Sequence, residues 1–158
     1  MNSDTSPRLD RYFTYRLNTL AKLNDLASHS LYLDKGGLSL AESRVLASIG
    51  SFPHITVNRL AFEANLDKGQ ASRSAQSLVD KGLVVKANSL TDGRSVILAL
   101  TPSGKPVWRK LMVLMEQRNQ ALTSCLNPEE QVLLLDMFER MLAHAKAGHA
   151  GDALEHAA

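Results

Sequence analysis

Apolar residues recur at helical spacing along most of this chain and at strand spacing in one short stretch only. Leu9, Tyr12, Phe13, Leu17, Leu20, Leu23, Leu26, Ala27 and Leu31, with the aliphatic stem of Arg16, mark one side of a helix from about Leu9 to Leu33. Asp34-Lys35-Gly36-Gly37 ends it. Ser39-Leu40-Ala41-Glu42 has the spacing of a capping box, and Val45, Leu46 and Ile49 follow on one face until Gly50 to His54, with Pro53, closes that helix. Thr56 caps a short helix that turns Val57, Leu60 and Ala61 inward. Asn65 and Leu66 make a turn. Asp67 caps the next helix, and Gln70 three residues later completes a second capping box.

In that helix Ala71, Ala75, Leu78 and Val79, then Leu83, form the inward stripe, and Lys81-Gly82 stops it. Leu83-Val84-Val85-Lys86 and Val96-Ile97-Leu98-Ala99-Leu100 are rich in β-formers, and Asn88 to Gly93 has the composition of a hairpin tip. Thr101-Pro102 places a cap before a first-turn proline, so a long helix follows to about Ser124, with Val107, Trp108, Leu111, Leu114, Met115 and Leu122 on its apolar face. Asn127-Pro128-Glu129-Glu130 repeats the signal, and Val132, Leu133, Leu135, Phe138, Met141 and Leu142 line the last helix, which is expected to fray after Gly148. The pattern predicts a mostly α fold with a small β-hairpin (α+β). A module over residues 39–101 is flanked by helical regions at 9–35 and 102–147, whose apolar faces lack partner surface within one chain.

The side of the 68–80 helix opposite its apolar stripe carries Lys68, Gly69, Gln70, Ser72, Arg73, Gln76 and Ser77. A major groove about 12 Å wide accepts a helix whose outer side chains are low enough to let longer ones reach base edges. Gly69, Ser72 and Ser77 keep that surface low. Gln70 and Gln76 offer amides that suit adenine, and Arg73 suits guanine or a phosphate. A solvated helix face has the same composition, so the neighbours decide. A short helix and turn precede it, and a hairpin follows with Lys86 in its first strand and Asp92-Gly93-Arg94 at its tip. Arg94 there suits a narrow minor groove, with Asp92 pairing with it or capping the turn, although an arginine in an ordinary Asp-Gly turn looks alike.

Composition permits this reading without leading to it. The net charge of the 158 residues is +2. Residues 55–101 hold six basic and four acidic groups, against six and five before them and six and seven after, so the small excess falls on the module. No apolar run reaches the roughly 20 residues of a membrane span, and residues 1–18 lack the apolar core of a signal peptide, so a cytoplasmic location is expected.

Leu60-Ala61, Ser72-Arg73, Leu78-Val79-Asp80-Lys81-Gly82-Leu83-Val84, Asp92-Gly93-Arg94 and Leu98-Ala99-Leu100-Thr101-Pro102-Ser103-Gly104 together resemble the MarR family of bacterial winged helix-turn-helix transcription factors. The match in order and spacing runs from about Ser39 to Gly104, and the flanking helix lengths fit. The resemblance implies a two-fold dimer built on the first and last two helices, with a winged module reading each half of a pseudo-palindromic operator in double-stranded DNA. It places the wing arginine at Arg94. Lys86 departs from an arginine frequent at that point; a phosphate contact survives as a point charge without the fork. It also implies repression of a neighbouring operon until a small aromatic acid or its thioester binds between the dimer base and the DNA module. The Glu42-Ser43-Arg44-Val45-Leu46 and Asp67-Lys68-Gly69-Gln70 wording resembles members tied to aromatic-compound catabolism.

Arg16, His29, Tyr32, Arg44 and His54 are the candidate effector anchors, with Tyr12 and Trp108 as wall, although an aromatic on a helical stripe is commonly core and an arginine on a long helix is commonly in an ion pair. A metal-responsive regulator is a weaker alternative: the histidines at 29, 54, 144, 149 and 156 show no i, i+4 pair. No metal and no cofactor is expected. A redox-responsive one would rest on the single Cys125, which lies near a helix C-terminus, where the dipole disfavours the thiolate. A winged module used only for protein contacts is a third class, and four cationic or amide groups pointing one way count against it. No nucleophile elbow, glycine-rich phosphate loop or paired carboxylates suggest an enzyme.

Overall fold

The computed structural model describes residues 7–88 and 96–155. The chain forms two compact units, Met1–Arg118 and Asn119–Ala158. In the first, a 3-10 turn at Leu9–Arg11 precedes α1 (Phe13–Leu31). The apolar spacing suggested one helix from Leu9, but Tyr12 between the two is extended, with φ −74° and ψ 137°. At its far end α1 widens into a π-helical turn over Tyr32–Gly36. Then come α2 (Leu40–Ser51), β1 (Ile55–Thr56), α3 (Val57–Glu63), α4 (Lys68–Asp80), β2 (Val84–Asn88), β3 (Val96–Leu100) and α5 (Gly104–Thr123).

Local chemistry sets these boundaries. Ser39 Oγ accepts from Glu42 N at 3.2 Å while Ser39 N donates to Glu42 Oε2 at 2.9 Å, a complete capping box on α2. Thr56 Oγ1 accepts from Arg59 N at the start of α3. Asn65, at φ 51°, makes the reversal between α3 and α4. The sheet is antiparallel in the order β1-β3-β2, with Ile55 opposite Leu98 and Val84 opposite Leu100. Two-residue β1 gives no alternation to read, so the pattern did not announce it.

The core lies where α2, α3, α4, the sheet and α5 converge. Val45, Leu46, Ile49, Ile55, Leu60, Ala75, Leu78, Val84, Leu98 and Leu111 are all buried. Each of the larger ones contributes about 1.5–3 kcal/mol by leaving water. Trp108 of α5 packs against this core with its indole close on Gly50; a Cβ on Gly50 would fall 2.3 Å from Trp108 Nε1. The wing is tied at its base. Thr101 N donates to Leu83 O at 3.0 Å, and Thr101 Oγ1 donates to Gly82 O at 2.7 Å. The same hydroxyl accepts from Gly104 N at 2.9 Å, and Gly104 sits so tightly that a Cβ would be 2.0 Å from Leu83 O.

α1 is different. From Phe13 to Leu23 every residue is exposed, including Phe13, Tyr15, Leu17, Leu20 and Leu23. In the second unit, α6 (Pro128–Glu155) starts with a reciprocal box: Glu130 N donates to Asn127 Oδ1 at 2.9 Å and Asn127 N to Glu130 Oε2 at 2.8 Å. The helix passes Gly148, where fraying was expected, because no proline or left-handed cap stops it. Val132, Leu133, Leu135, Met141 and Leu142 are exposed on it. No helix among the described residues is long and apolar enough to cross a membrane.

Candidate nucleic-acid interface

α4 buries Ala71, Ser74, Ala75 and Leu78, and this sets which side chains look outward. Lys68, Gly69, Gln70, Ser72, Arg73 and Gln76 are exposed, as their spacing predicts. Asp67 Oδ1 accepts from Gln70 N at 2.7 Å, so its carboxylate faces its own helix; the box expected there is one-sided, with the Gln70 side chain left in solvent. Gly69 lies beneath the Arg73 guanidinium: a Cβ there would be 3.1 Å from Arg73 Nη1 and 3.2 Å from Asp67 Oδ1. A side chain at 69 would make the Arg73 guanidinium give way by a few tenths of an ångström.

Ser77 is placed otherwise than its composition suggested. It is half-buried, and its hydroxyl donates to Glu42 Oε1 at 2.6 Å, toward α2 and away from Arg73 and Gln76. Lys81 Nζ reaches the same Glu42 oxygen at 2.6 Å. Glu42 is 8% exposed. Burial alone would raise its pKa, but the Lys81 ammonium, the Ser77 hydroxyl and the Ser39 N–H outweigh that and lower it from 4.5 to about 2. One carboxylate therefore caps α2 and holds the C-terminal end of α4 against it.

The wing strand meets α4 through Gln76. Lys86 Nζ donates to Gln76 Oε1 at 2.7 Å, and Gln76 Nε2 donates to Asp80 Oδ1 at 2.7 Å. All three side chains are on the exposed side. Asp80 did not stand out in the sequence, although its i, i+4 offset from Gln76 is the signal that finds it. The contact of Glu42 with Lys81 had no such signal, because 39 residues separate them. Asp92 and Arg94 lie outside the described residues.

The five candidate effector anchors do not converge. Tyr32 is 5% exposed and belongs to the core. Arg44 Nη2 pairs with Asp25 Oδ1 at 2.5 Å, and Arg16 Nε donates to the Asp10 carbonyl at 3.0 Å. His29 lines a groove of about 430 Å³ with Lys22, Asp25, Leu26 and Leu40. His54, in the left-handed region at φ 58°, lines a separate cleft of about 430 Å³ with Ile49, Pro53, Leu98, Leu100 and Lys105. These residues were expected near the junction of the dimer base and the DNA module; Arg44 meets the His29 groove through Asp25, whereas Tyr32 and His54 lie apart from it. Trp108, expected as wall, packs on Gly50 and against the core. Among the described residues no group of three His, Cys, Asp or Glu is arranged to hold a metal ion, and Cys125 is exposed.

Residues 36–95 match the sequence profile of the MarR family. The chain is 29% identical over 117 residues to the HTH-type transcriptional regulator BilQ of Clostridium symbiosum (strain WAL-14163), covering 74% of this chain and 81% of that protein. Its structure resembles the crystal structure of a MarR-family transcriptional regulator from Silicibacter pomeroyi, with 26% identity, a TM-score of 0.75 and coverage of 87% and 92% of the two chains. It also has the fold of BpsR from Bordetella bronchiseptica, solved in a study of how 6-hydroxynicotinic acid regulates its DNA binding; identity is 18%, the TM-score 0.72 and coverage 85% and 96%.

Proposed function

Because this chain belongs to the MarR family of winged helix-turn-helix transcriptional regulators, which bind DNA and are not enzymes, we propose that it acts as a homodimeric repressor released by a small aromatic acid or its thioester. In this reading residues 39–101 contact the operator, and residues 9–35 and 102–147 pair with a second copy. The observation that carries it is the outer side of α4, where Arg73 and Gln76 stand clear of the core and Lys86 joins them from the wing strand. Lys68, Gln70, Ser72, Arg73, Gln76 and Lys86 make up the proposed contact surface, with Asp92 and Arg94 at the wing tip. Ser77 supports it from behind through Glu42.

The exposed apolar residues of α1 and, separately, of α6 support the dimer reading. A two-fold partner would cover them, and the operator would then be an imperfect palindrome with half-sites about one helical turn apart. The effector is argued from chemistry: apolar grooves with a cation at the rim suit an aromatic carboxylate, the class to which the regulator of BpsR belongs. To take the operator-competent state from 99:1 to 1:99, the ligand must prefer the released state by about 5.5 kcal/mol.

The test is a titration of the protein against DNA upstream of its own gene at two salt concentrations, with footprinting. Binding should weaken steeply with salt and protect a two-fold site. Arg73→Ala should lose about 1–3 kcal/mol on that site and less on mixed sequence. Protection without symmetry, or an unchanged Arg73→Ala, refutes the placement of α4. Benzoates, hydroxycinnamates and their coenzyme A esters that raise the melting temperature should also release the operator. Hits that leave operator affinity unchanged refute induction.

A further inference from the structure

We propose that Lys86, Gln76 and Asp80 form a base-reading unit that presents Gln76 in one fixed amide orientation to an adenine in each operator half-site. The proposal rests on the DNA-reading role of α4 argued above and adds which base is read and what fixes the reading.

A free glutamine on a helix is a poor discriminator. Its amide turns over at little cost, and its oxygen and nitrogen exchange places. Gln76 cannot do so without loss. A lysine ammonium has only donors and a carboxylate only acceptors, so Lys86 Nζ at 2.7 Å requires the amide oxygen on its side and Asp80 Oδ1 at 2.7 Å requires the nitrogen on the other. Turning the amide over would set N–H against ammonium and carbonyl against carboxylate.

After these two bonds the amide keeps one N–H and one oxygen lone pair. Adenine offers the complement in the major groove, an N7 acceptor beside an N6 donor. Guanine offers two acceptors there, thymine an acceptor beside a methyl group, and cytosine a lone donor, so each leaves one end of the amide unpaired. Asp80 also places a negative charge on the DNA-facing side, which opposes phosphate binding. Its presence is explained by orienting Gln76 and not by adding affinity. Lys86 draws the β2 strand into the same unit, so the wing is coupled to what α4 reads.

The experiment uses the full-length protein and its upstream operator duplex, read by fluorescence anisotropy. Each adenine of one half-site is replaced in turn by purine, which lacks the N6 amino group, and by 7-deazaadenine, which lacks N7. At one adenine both replacements should weaken wild-type binding on the order of 5- to 100-fold. Gln76→Ala should abolish both penalties at that position alone. Asp80→Ala should shrink them severalfold without weakening binding to mixed-sequence DNA, a pattern that loss of folding does not give. Asp80→Asn, which keeps an acceptor oxygen, should retain them, and Lys86→Met should shrink them as Asp80→Ala does. If Gln76→Ala keeps both penalties, or Asp80→Ala and Lys86→Met keep them in full, the proposal is overturned while the DNA-binding reading stands. If the wild type shows no salt-dependent binding to the upstream duplex, the operator reading fails first and this proposal with it.

Discussion

Replacing Glu42 by glutamine removes a charge and keeps the shape, which isolates the most perturbed carboxylate among the described residues. Glutamine still offers an oxygen to Ser39 N, so the α2 cap is largely retained. The ionic contact with Lys81 and the charge-assisted bond from Ser77 are lost. A carboxyl whose pKa falls from 4.5 to about 2 on folding is a group with a depressed folded value. Its stabilisation is fully present above about pH 5 and disappears as pH falls through 2; at neutral pH the shift corresponds to about 3 kcal/mol. Lys81 retains 42% exposure of its side chain, so it rehydrates when its partner is neutralised and adds little further penalty. Urea titrations of wild type and Glu42→Gln, at one fixed protein concentration because an assembling protein's stability depends on it, measure the difference. The gap should be about 3 kcal/mol at pH 7 and about half that near pH 3, where the unfolded chain's carboxyl is already protonated and the folded one is still mostly ionised. A gap below about 1 kcal/mol at pH 7, or one that does not change with pH, would refute the assignment of the stabilisation to this ionised group.

Gly50→Ala should cost about 1–3 kcal/mol, because its Cβ would fall 2.3 Å from Trp108 Nε1 and the indole must move; calorimetry should show a lower melting temperature, much of it recovered in the double variant with Trp108→Leu, and an unchanged single variant would show that the indole is not held there. Leu20→Asp, on the exposed apolar side of α1, should weaken self-association by at least about tenfold, equivalent to about 1.4 kcal/mol, in sedimentation at micromolar protein; a wild type that sediments as a monomer would count against the dimer altogether.

What the sequence disclosed was mostly local. Ser39 with Glu42, Thr56, Asp67 and Asn127 with Glu130 all cap the helices that their spacing announced, because a cap needs only residues within one turn. The polar side of α4 was equally legible, since its period follows from the buried Ala71, Ala75 and Leu78. Long-range contacts were not. Ser77 lies on the same helix as Gln76 and has groove-compatible chemistry, yet a carboxylate 35 residues upstream takes its hydroxyl. Tyr32 and Arg44 looked like ligand anchors by type, and the fold gives one to the core and the other to Asp25. Tyr12 interrupts a run of apolar spacing that is otherwise continuous, since periodicity does not register one extended residue.

The tie between Leu83 and Thr101 bears on how such a wing can change over evolutionary time. Residues 84–100 leave and re-enter the module at two points held together by backbone and hydroxyl bonds that do not involve the excursion itself. These bonds are therefore independent of the hairpin's content, and the entropic cost of closing a longer excursion rises only slowly, by about 0.6 kcal/mol for each doubling. Lys86 is the middle residue of β2, three positions past Leu83, whereas Arg94 comes late in the excursion. Insertions and deletions in the distal part are thus cheap for stability and leave the link from Lys86 to α4 in place. The length of the hairpin is free to vary while the bond from β2 to α4 keeps its geometry.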